Sequence, residues 1–335
     1  MNIQERISAL SALGKILNNA EEGTASVAWK AANENPWFEP VFVQNATDKI
    51  VTAFLQENEL TAFAEHYQVG TPRQPKSVGI VFAGNIPMVG FHDLLMVLLS
   101  GNKAVIKYSS KDRVLMEFAV QKLIAINPAF EQFIVAQEQL KGCDAYIATG
   151  SNNSGRYFEY YFAKYPHIIR RNRTSVAILN GKESKLQLER LATDILEYFG
   201  LGCRNVTALR VPYNYDWQPL LGSLGKYAWM KDHHKFRNNY DYQLSLHLLN
   251  NKFYMTDGNL LLVENESLFS PIASLHYQYT DDYFDETEFA TDHSQDLQCL
   301  VGGKNGIHFG QAQTPALDQF ADGVDTMTFL QSLDR

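Results

Sequence analysis

A parallel α/β architecture in two lobes is predicted by three features of this sequence. The chain has 335 residues, more than one average domain, which leaves room for a core in each lobe. From Val78 onward, short apolar runs alternate with stretches of helical periodicity. Turns rich in glycine, serine and asparagine follow the apolar runs. Strands alternating with helices of this length imply βαβ units and an open parallel sheet, whose ligands lie beyond the carboxyl ends of the strands.

Composition narrows the class. Apolar residues make up 45 % and charged residues 20 %, an ordinary globular balance. The net charge of −8 offers no basic excess for a phosphate backbone, so nucleic acid is not expected as a partner. Cys143, Cys203 and Cys299 are far apart and form no CxxC pair. Neither a disulfide framework nor a metal site is expected, and reduced thiols fit a cytoplasm. The N-terminus lacks the pattern of a signal peptide. The most apolar stretch, Leu94 to Leu99, is too short to span a membrane.

The elements read as follows. Residues 1–70 form an N-terminal helical part, opened by the amphipathic series Ile3, Ile7, Leu10, Leu13 and Leu17 and interrupted by a turn at Asn35-Pro36-Trp37-Phe38. Thr71-Pro72-Arg73-Gln74-Pro75-Lys76 reads as a linker. Residues 71–195 carry strands at Val78–Ala83, Ala104–Tyr108, Ala145–Ala148 and Ser175–Leu179, with helices at Asn85–Ser100, Asp112–Ile126, Asn153–Tyr165 and Leu186–Phe199. Residues 196–310 are less regular, with strands at Val206–Val211, Leu260–Val263, Ala273–Tyr279 and Gln298–Val301. Residues 311–335 form a tail that either returns to the first lobe or reaches a partner subunit.

Four turns could carry chemistry. In Ala83-Gly84-Asn85-Ile86-Pro87, a helix starts at the proline, and Asn85 either caps it or turns its amide into a site as an oxyanion donor. Lys107 ends the second strand, where it reaches a ligand's hydroxyls or phosphate, or is a solvated edge charge. Thr149-Gly150-Ser151-Asn152-Asn153-Ser154-Gly155 presents helix N-terminal N–H groups, which suit a phosphate or a plain helix cap. In Phe199-Gly200-Leu201-Gly202-Cys203-Arg204-Asn205, glycines free the backbone beside a thiol, and Arg204 supplies positive charge that favours the thiolate. A free cysteine is commonly a small buried hydrophobe, which suits Cys143 and Cys299 beside strands, whereas Cys203 lies outside any apolar run.

In order and spacing, these turns resemble the aldehyde dehydrogenase superfamily, and more closely its LuxC-type acyl-CoA reductase branch. The segments that carry the resemblance include Phe82-Ala83-Gly84-Asn85-Ile86-Pro87, Gly90-Phe91-His92-Asp93-Leu94-Leu95, Leu99-Ser100-Gly101-Asn102-Lys103, Thr149-Gly150-Ser151, the Cys203 turn, and Ala321-Asp322-Gly323-Val324-Asp325-Thr326. The resemblance implies an aldehyde dehydrogenase-like fold: an open parallel Rossmann-type cofactor domain, a second α/β catalytic domain and an oligomerising element, hence a homo-oligomer. It implies that Cys203 is the nucleophile and Asn85 the oxyanion donor. It further implies that Lys107 contacts the adenosine ribose, and that Gly150 and Ser151 lie near the cofactor pyrophosphate.

Departures from the family pattern sharpen these expectations. Where hydrolytic aldehyde dehydrogenases carry a water-activating glutamate, this chain has His167-Ile168-Ile169-Arg170-Arg171-Asn172-Arg173, with no carboxylate. Water attack on an acyl-cysteine would then be slow, which favours NAD(P)H-dependent reduction of an acyl-CoA or other acyl thioester to the aldehyde. Ser110 stands where a glutamate favours NAD, with Lys111 and Arg113 nearby, so NADPH is favoured over NADH. Phe269-Ser270-Pro271 resembles the family's Phe-Gly-Pro motif, but Ser267 takes the place of its ribose-binding glutamate, with Glu266 adjacent. The rival readings are an aldehyde or semialdehyde dehydrogenase forming acid, a cofactor-free cysteine acyltransferase or thioesterase, and a non-catalytic binding subunit of the same fold.

Overall fold

The computed structural model describes residues 1–72 and 74–334. Arg73, part of the expected linker, lies outside the described residues. The chain divides into two compact units, Met1–Asn172 with Pro315–Arg335, and Arg173–Thr314. This division differs from the boundary expected between residues 195 and 196. The physical reason for the difference is Thr174–Ile178, which pairs with strands of the second unit and takes the following helix with it.

The first unit begins with four helices: α1 (Ile3–Leu17), α2 (Ala25–Glu34), α3 (Pro40–Phe54) and α4 (Glu57–His66). Asn2 and Glu5 form a reciprocal capping box that starts α1. Its expected apolar stripe is buried at Ile7, Leu10, Leu13 and Leu17. That face also buries Arg6, whose guanidinium donates at 2.8 Å to the carbonyls of Leu99 and Gly70 and is pushed down to about 10 by burial.

A parallel sheet follows, built from β1 (Ser77–Val81), α5 (Phe91–Ser100), β2 (Lys103–Lys107), α6 (Arg113–Ile126), β3 (Ile134–Ala136), β4 (Ala145–Thr149), α7 (Asn152–Phe162) and β5 (His167–Arg170). Among the described residues the strand order is β3-β2-β1-β4-β5, with every pair parallel. The order reverses between β1 and β4, so the carboxyl ends of β1 and β4 flank a topological switch point. Helix α5 is apolar nearly all round and is buried along almost its whole length. β3 and β5 escape the sequence reading because they are short and lie at the sheet edges.

The second unit contains β6 (Thr174–Ile178), α8 (Lys185–Leu196), β7 (Val206–Pro212), α9 (Gln218–Leu224), α10 (His234–Leu249), β8 (Met255–Thr256), β9 (Leu261–Glu264), β10 (Ser274–Thr280), α11 (Glu286–Asp292) and β11 (Leu297–Gly302). Its sheet runs β11-β6-β7-β10-β9-β8 and is parallel except for the β8–β9 pair. β6 is buried at every position, as a central parallel strand should be. It was expected as the fourth strand of the first sheet; it is flanked instead by β11 and β7.

The tail returns to the first unit and ends in α12 (Thr326–Ser332), which packs on α5. Arg170 joins this packing: its guanidinium pairs with Asp93 of α5 and donates to Thr326 Oγ1 at 2.9 Å. His92 meets the Leu317 carbonyl at 3.0 Å and packs edge-on against Phe54 and Phe320. No helix among the described residues is long and apolar enough to cross a membrane.

Candidate active site

The turn after β1 differs from its expected form. Helix α5 starts at Phe91 with Gly90 as N-cap, not at Pro87. Asn85 lies too far upstream to cap it, so the capping alternative falls. The intervening residues form a tight turn in which Met88 adopts a left-handed φ of 55°. Asp112, at the head of α6, holds this turn by accepting the Met88 N–H at 2.8 Å. Burial raises Asp112 well above the ordinary carboxylate range, against the smaller opposing effect of the Met88 bond. Its other oxygen is buried without a hydrogen-bond partner. Asn85 itself is exposed.

Lys107 closes β2 and Ser110 follows it, and both residues are exposed. Of the cations near Ser110, Lys111 is exposed, and Arg113 lies 3.4 Å from Glu117 and 3.7 Å from Glu138. After β4, Ser151 is the N-cap of α7 and accepts the Ser154 N–H at 3.3 Å. A Cβ on Gly150 would come within 2.9 Å of Ser154 and 3.0 Å of Phe158, so this position must remain bare backbone. Asn85, Lys107, Gly150 and Ser151 thus lie at or just past the carboxyl ends of three adjacent parallel strands of one sheet. The residues present fit a dinucleotide: a switch point, a bare turn, a helix N-terminus and an exposed lysine.

Cys203 belongs to the second unit, on the turn between α8 and β7. Helix α8 stops at Leu196, earlier than expected, because Tyr198, Phe199 and Gly200 all take left-handed φ angles of 54°, 57° and 72°. This conformation costs of order 1–3 kcal/mol at each non-glycine residue. Phe199 is held by rings on either side, with centroids 4.4 Å from His233 and 5.5 Å from Phe236.

Asn205 clamps the turn. Its amide nitrogen donates to the Asp194 carbonyl at 3.0 Å and the Glu197 carbonyl at 2.9 Å, while its oxygen accepts the Gly202 N–H at 2.8 Å. Asp194 is buried, and its carboxylate is occupied by the N–H groups of Gly310 and Ala312. Ser175 Oγ donates to the Cys203 carbonyl at 3.2 Å and meets the Cys299 sulfur at 3.1 Å.

The three thiols differ in setting. Cys143 is buried against Val105 and Tyr146, and burial pushes its thiol up. Burial also raises the Cys299 thiol, opposed by Ser175 and by the charge of Arg204. Cys203 is half-buried on its turn, with half-buried Arg204 beside it. Sequence reasoning singled out Cys203 but missed Asp112, Ser175 and Asn205. Only Asn205 left a signal, as an asparagine closing a glycine-rich turn. His233 Nδ1 accepts the Phe236 N–H at 3.2 Å and caps α10.

Residues 44–211 match the family described as acyl-CoA reductase (LuxC), a span that runs from α3 through the Cys203 turn to β7. The chain belongs to this family. As a LuxC-family protein it shares its fold with aldehyde dehydrogenases. It superimposes on aldehyde dehydrogenase 21 from Physcomitrella patens, in complex with the reaction product succinate, with a TM-score of 0.68 and 11 % identity over 99 % of this chain and 84 % of that one. An aldehyde dehydrogenase from Mycobacterium tuberculosis, complexed with NAD+, gives 0.63 at 13 % identity over 90 % and 73 %. Succinic semialdehyde dehydrogenase from Streptococcus pyogenes, with NADP+ as the cofactor, gives 0.62 at 14 % over 89 % and 76 %. No curated protein matches the sequence. The expected aldehyde dehydrogenase-like α/β fold is therefore the fold observed, and the family is one of oxidoreductases.

Proposed function

We propose that the chain reduces an acyl thioester, acyl-CoA foremost, to the aldehyde through an acyl-cysteine on Cys203. The observation that carries this reading is the Cys203 turn, a half-buried thiol on a strained and clamped backbone within the span that matches the acyl-CoA reductase family. The Cys203 thiolate attacks the thioester carbonyl. The Cys203 N–H and the Asn85 amide are proposed as donors to the oxyanion, each worth about 3–4 kcal/mol of barrier. The carbon–sulfur bond to CoA breaks, the CoA thiolate leaves and takes a proton from solvent, and the acyl group remains on Cys203.

When bound, a reduced nicotinamide would supply the hydride that takes the acyl group to the aldehyde level; Cys203 holds the acyl group until then and is the leaving group, so the thiolate would be restored as the aldehyde departs. Lys107 is proposed to hold the adenosine ribose, Ser110 to leave room for a 2′-phosphate, and Gly150 and Ser151 to meet the pyrophosphate with backbone N–H groups. NAD+ and NADP+ in the structural neighbours support a nicotinamide cofactor.

The segment that would carry a hydrolytic base is committed elsewhere. Arg170 pairs with Asp93, Arg171 with Glu159, and Arg173 donates to the carbonyls of Ser294 and Leu297. Residues 167–173 also carry no carboxylate to activate water, which supports an acyl-cysteine that passes its acyl group to hydride. The test is Cys203→Ala: acyl-CoA-dependent oxidation of NADPH or NADH is lost while cofactor binding persists. Undiminished turnover in that variant refutes the assignment. Efficient acid formation from aldehyde and NAD(P) without CoA would favour the oxidative reading instead.

A further inference from the structure

The C-terminal end of α10 and the turn after it form an exposed apolar tip on the second unit. Leu249 is 80 % exposed, Phe253 74 %, Tyr242 61 % and Leu248 57 %. The helix makes its core contacts elsewhere, through buried Phe236 and Tyr240. Tyr242 and Leu249 lie two turns apart on one side of the helix, and Leu248 and Phe253 flank the chain reversal. None of the four lines the hollow formed with Phe269 and Pro271, the segment that resembles the family's cofactor motif. Single exposed leucines are ordinary, but four large apolar side chains about one tip make a patch.

The last carbonyls of the helix are paired within the tip. Asn251 takes a left-handed φ of 50°, which turns the chain back on the helix. The carbonyls of Leu246, His247 and Leu248 accept the N–H groups of Asn250, Lys252 and Asn251 at 3.2, 3.0 and 3.2 Å. The Asn250 side chain also donates to the Leu246 carbonyl, at 2.7 Å. A turn closed in this way enters an apolar boundary at low cost, because these carbonyls no longer need water.

Charge and area select the partner. From Tyr242 to Thr256 the chain has no acidic residue, and Lys252 is the one lysine or arginine. The whole chain carries 37 acidic residues and a net charge of −8. The tip is therefore a place where this protein meets an anionic surface without repulsion. Area argues against a second copy of the chain. Four side chains fall far short of the about 20–30 residues a side that a stable protein interface uses.

We propose that this tip docks on an anionic lipid surface, with Leu248, Leu249 and Phe253 inserted at the headgroup boundary and Lys252 at the lipid phosphates. The mode is peripheral, since the tip reaches only the outer part of one leaflet. Each largely exposed Leu or Phe that becomes buried contributes about tenfold, and one lysine about fivefold. The association constant is then on the order of 10³–10⁴ M⁻¹ in lipid, reversible binding like that of a single acyl anchor.

The experiment is co-sedimentation of the full chain with sucrose-loaded vesicles at millimolar lipid. Vesicles of phosphatidylcholine with phosphatidylglycerol are expected to bind it about fivefold more tightly than phosphatidylcholine alone. Leu249→Ser and Phe253→Ser are each expected to weaken that binding about tenfold, with thermal unfolding unchanged because both side chains lie in solvent. Tyr160→Ser, which alters an 80 % exposed tyrosine on α7 of the first unit, is expected to leave binding as it was. No binding to either vesicle, equal binding to both, or an equal loss in Tyr160→Ser overturns the proposal. Self-association that Leu249→Ser abolishes, without vesicle binding, also overturns it and assigns the tip to a second copy. The readout needs no turnover, so the proposal stands or falls apart from the reductase reading.

Discussion

Asn205→Ala tests whether the Cys203 turn is held by one side chain. The asparagine is fully buried and makes two short bonds to main-chain carbonyls and one from a main-chain N–H, at 2.9, 3.0 and 2.8 Å. Truncation leaves the Glu197 and Asp194 carbonyls and the Gly202 N–H buried without that partner. Each such group costs about 1–3 kcal/mol, less whatever a water entering the vacated space restores, so the expected loss is roughly 3–5 kcal/mol. The left-handed conformation of Tyr198 and Phe199 adds to the drive for the turn to relax. Two measurements follow the change. Urea denaturation reports the stability, with Trp217 and Trp229 of the second unit and Trp29 and Trp37 of the first as fluorescent reporters. Mass-spectrometric mapping of alkylation gives the rate at Cys203, expected to change several-fold as the turn loosens. A destabilisation below about 1 kcal/mol together with an unchanged Cys203 rate would refute the clamp.

Other expectations follow from the same structure. Arg170→Met leaves Asp93 buried without its cation and is expected to cost about 3–5 kcal/mol; adding Asp93→Leu should recover much of that loss in thermal unfolding, and no recovery would mean that the pair is not the source. Asp112 is raised by burial, so its folded pKa exceeds its unfolded value. Its stabilising contribution is full below the unfolded pKa and is lost as pH rises through the folded one. Asp112→Asn removes this dependence, and wild type should gain stability relative to the variant as pH falls from 7 toward 4; parallel curves would show that Asp112 is ionised in the fold. Ser110→Glu places a carboxylate where a 2′-phosphate is proposed to lie, and kcat/KM for NADPH should fall about tenfold or more against NADH, a difference near 1.4 kcal/mol; an unchanged ratio places that phosphate elsewhere.

The sequence made the parallel α/β class legible because buried strands such as Val78–Ala83 and Ala104–Tyr108 are continuous apolar runs between clear turn signals. It did not reveal which sheet Ser175–Leu179 joins, since an apolar run states that a strand is buried and not between which neighbours. β3 and β5 were missed for the opposite reason: edge strands of three and four residues carry too little apolar periodicity to be seen. At the site, glycine spacing pointed to the Cys203 turn, yet the left-handed run begins at Tyr198 and Phe199, residues whose identity gives no hint of positive φ. Tertiary packing of Phe199 among aromatic rings, together with Asn205, overrides that local preference. Asp112 illustrates the same limit. A residue of its type before a helix reads as an N-cap, whereas the fold buries it and aims it at the Met88 N–H of another segment.

These hidden residues bear on the chemistry more than their anonymity suggests. A nucleophile on a turn must keep its sulfur and its own N–H in one geometry while the acyl carbon passes between trigonal and tetrahedral states, because an oxyanion donor misplaced by an ångström contributes little. In this chain the Cys203 carbonyl is bound by Ser175, and Gly202 and Asn205 are locked to the end of α8. The peptide unit after the thiol is therefore anchored to a central strand through Ser175, and the unit before it through the Gly202 carbonyl, which accepts the Asn205 N–H at 3.1 Å. The same Ser175 hydroxyl contacts Cys299, whose buried thiol is held toward its neutral form. Under the proposed function the acyl group is therefore expected on Cys203 and not on Cys299. Peptide mapping after incubation with acyl-CoA in the absence of a nicotinamide tests this directly: the acyl mass is expected on the Cys203 peptide, and appreciable label on Cys299 would show that burial does not silence that thiol.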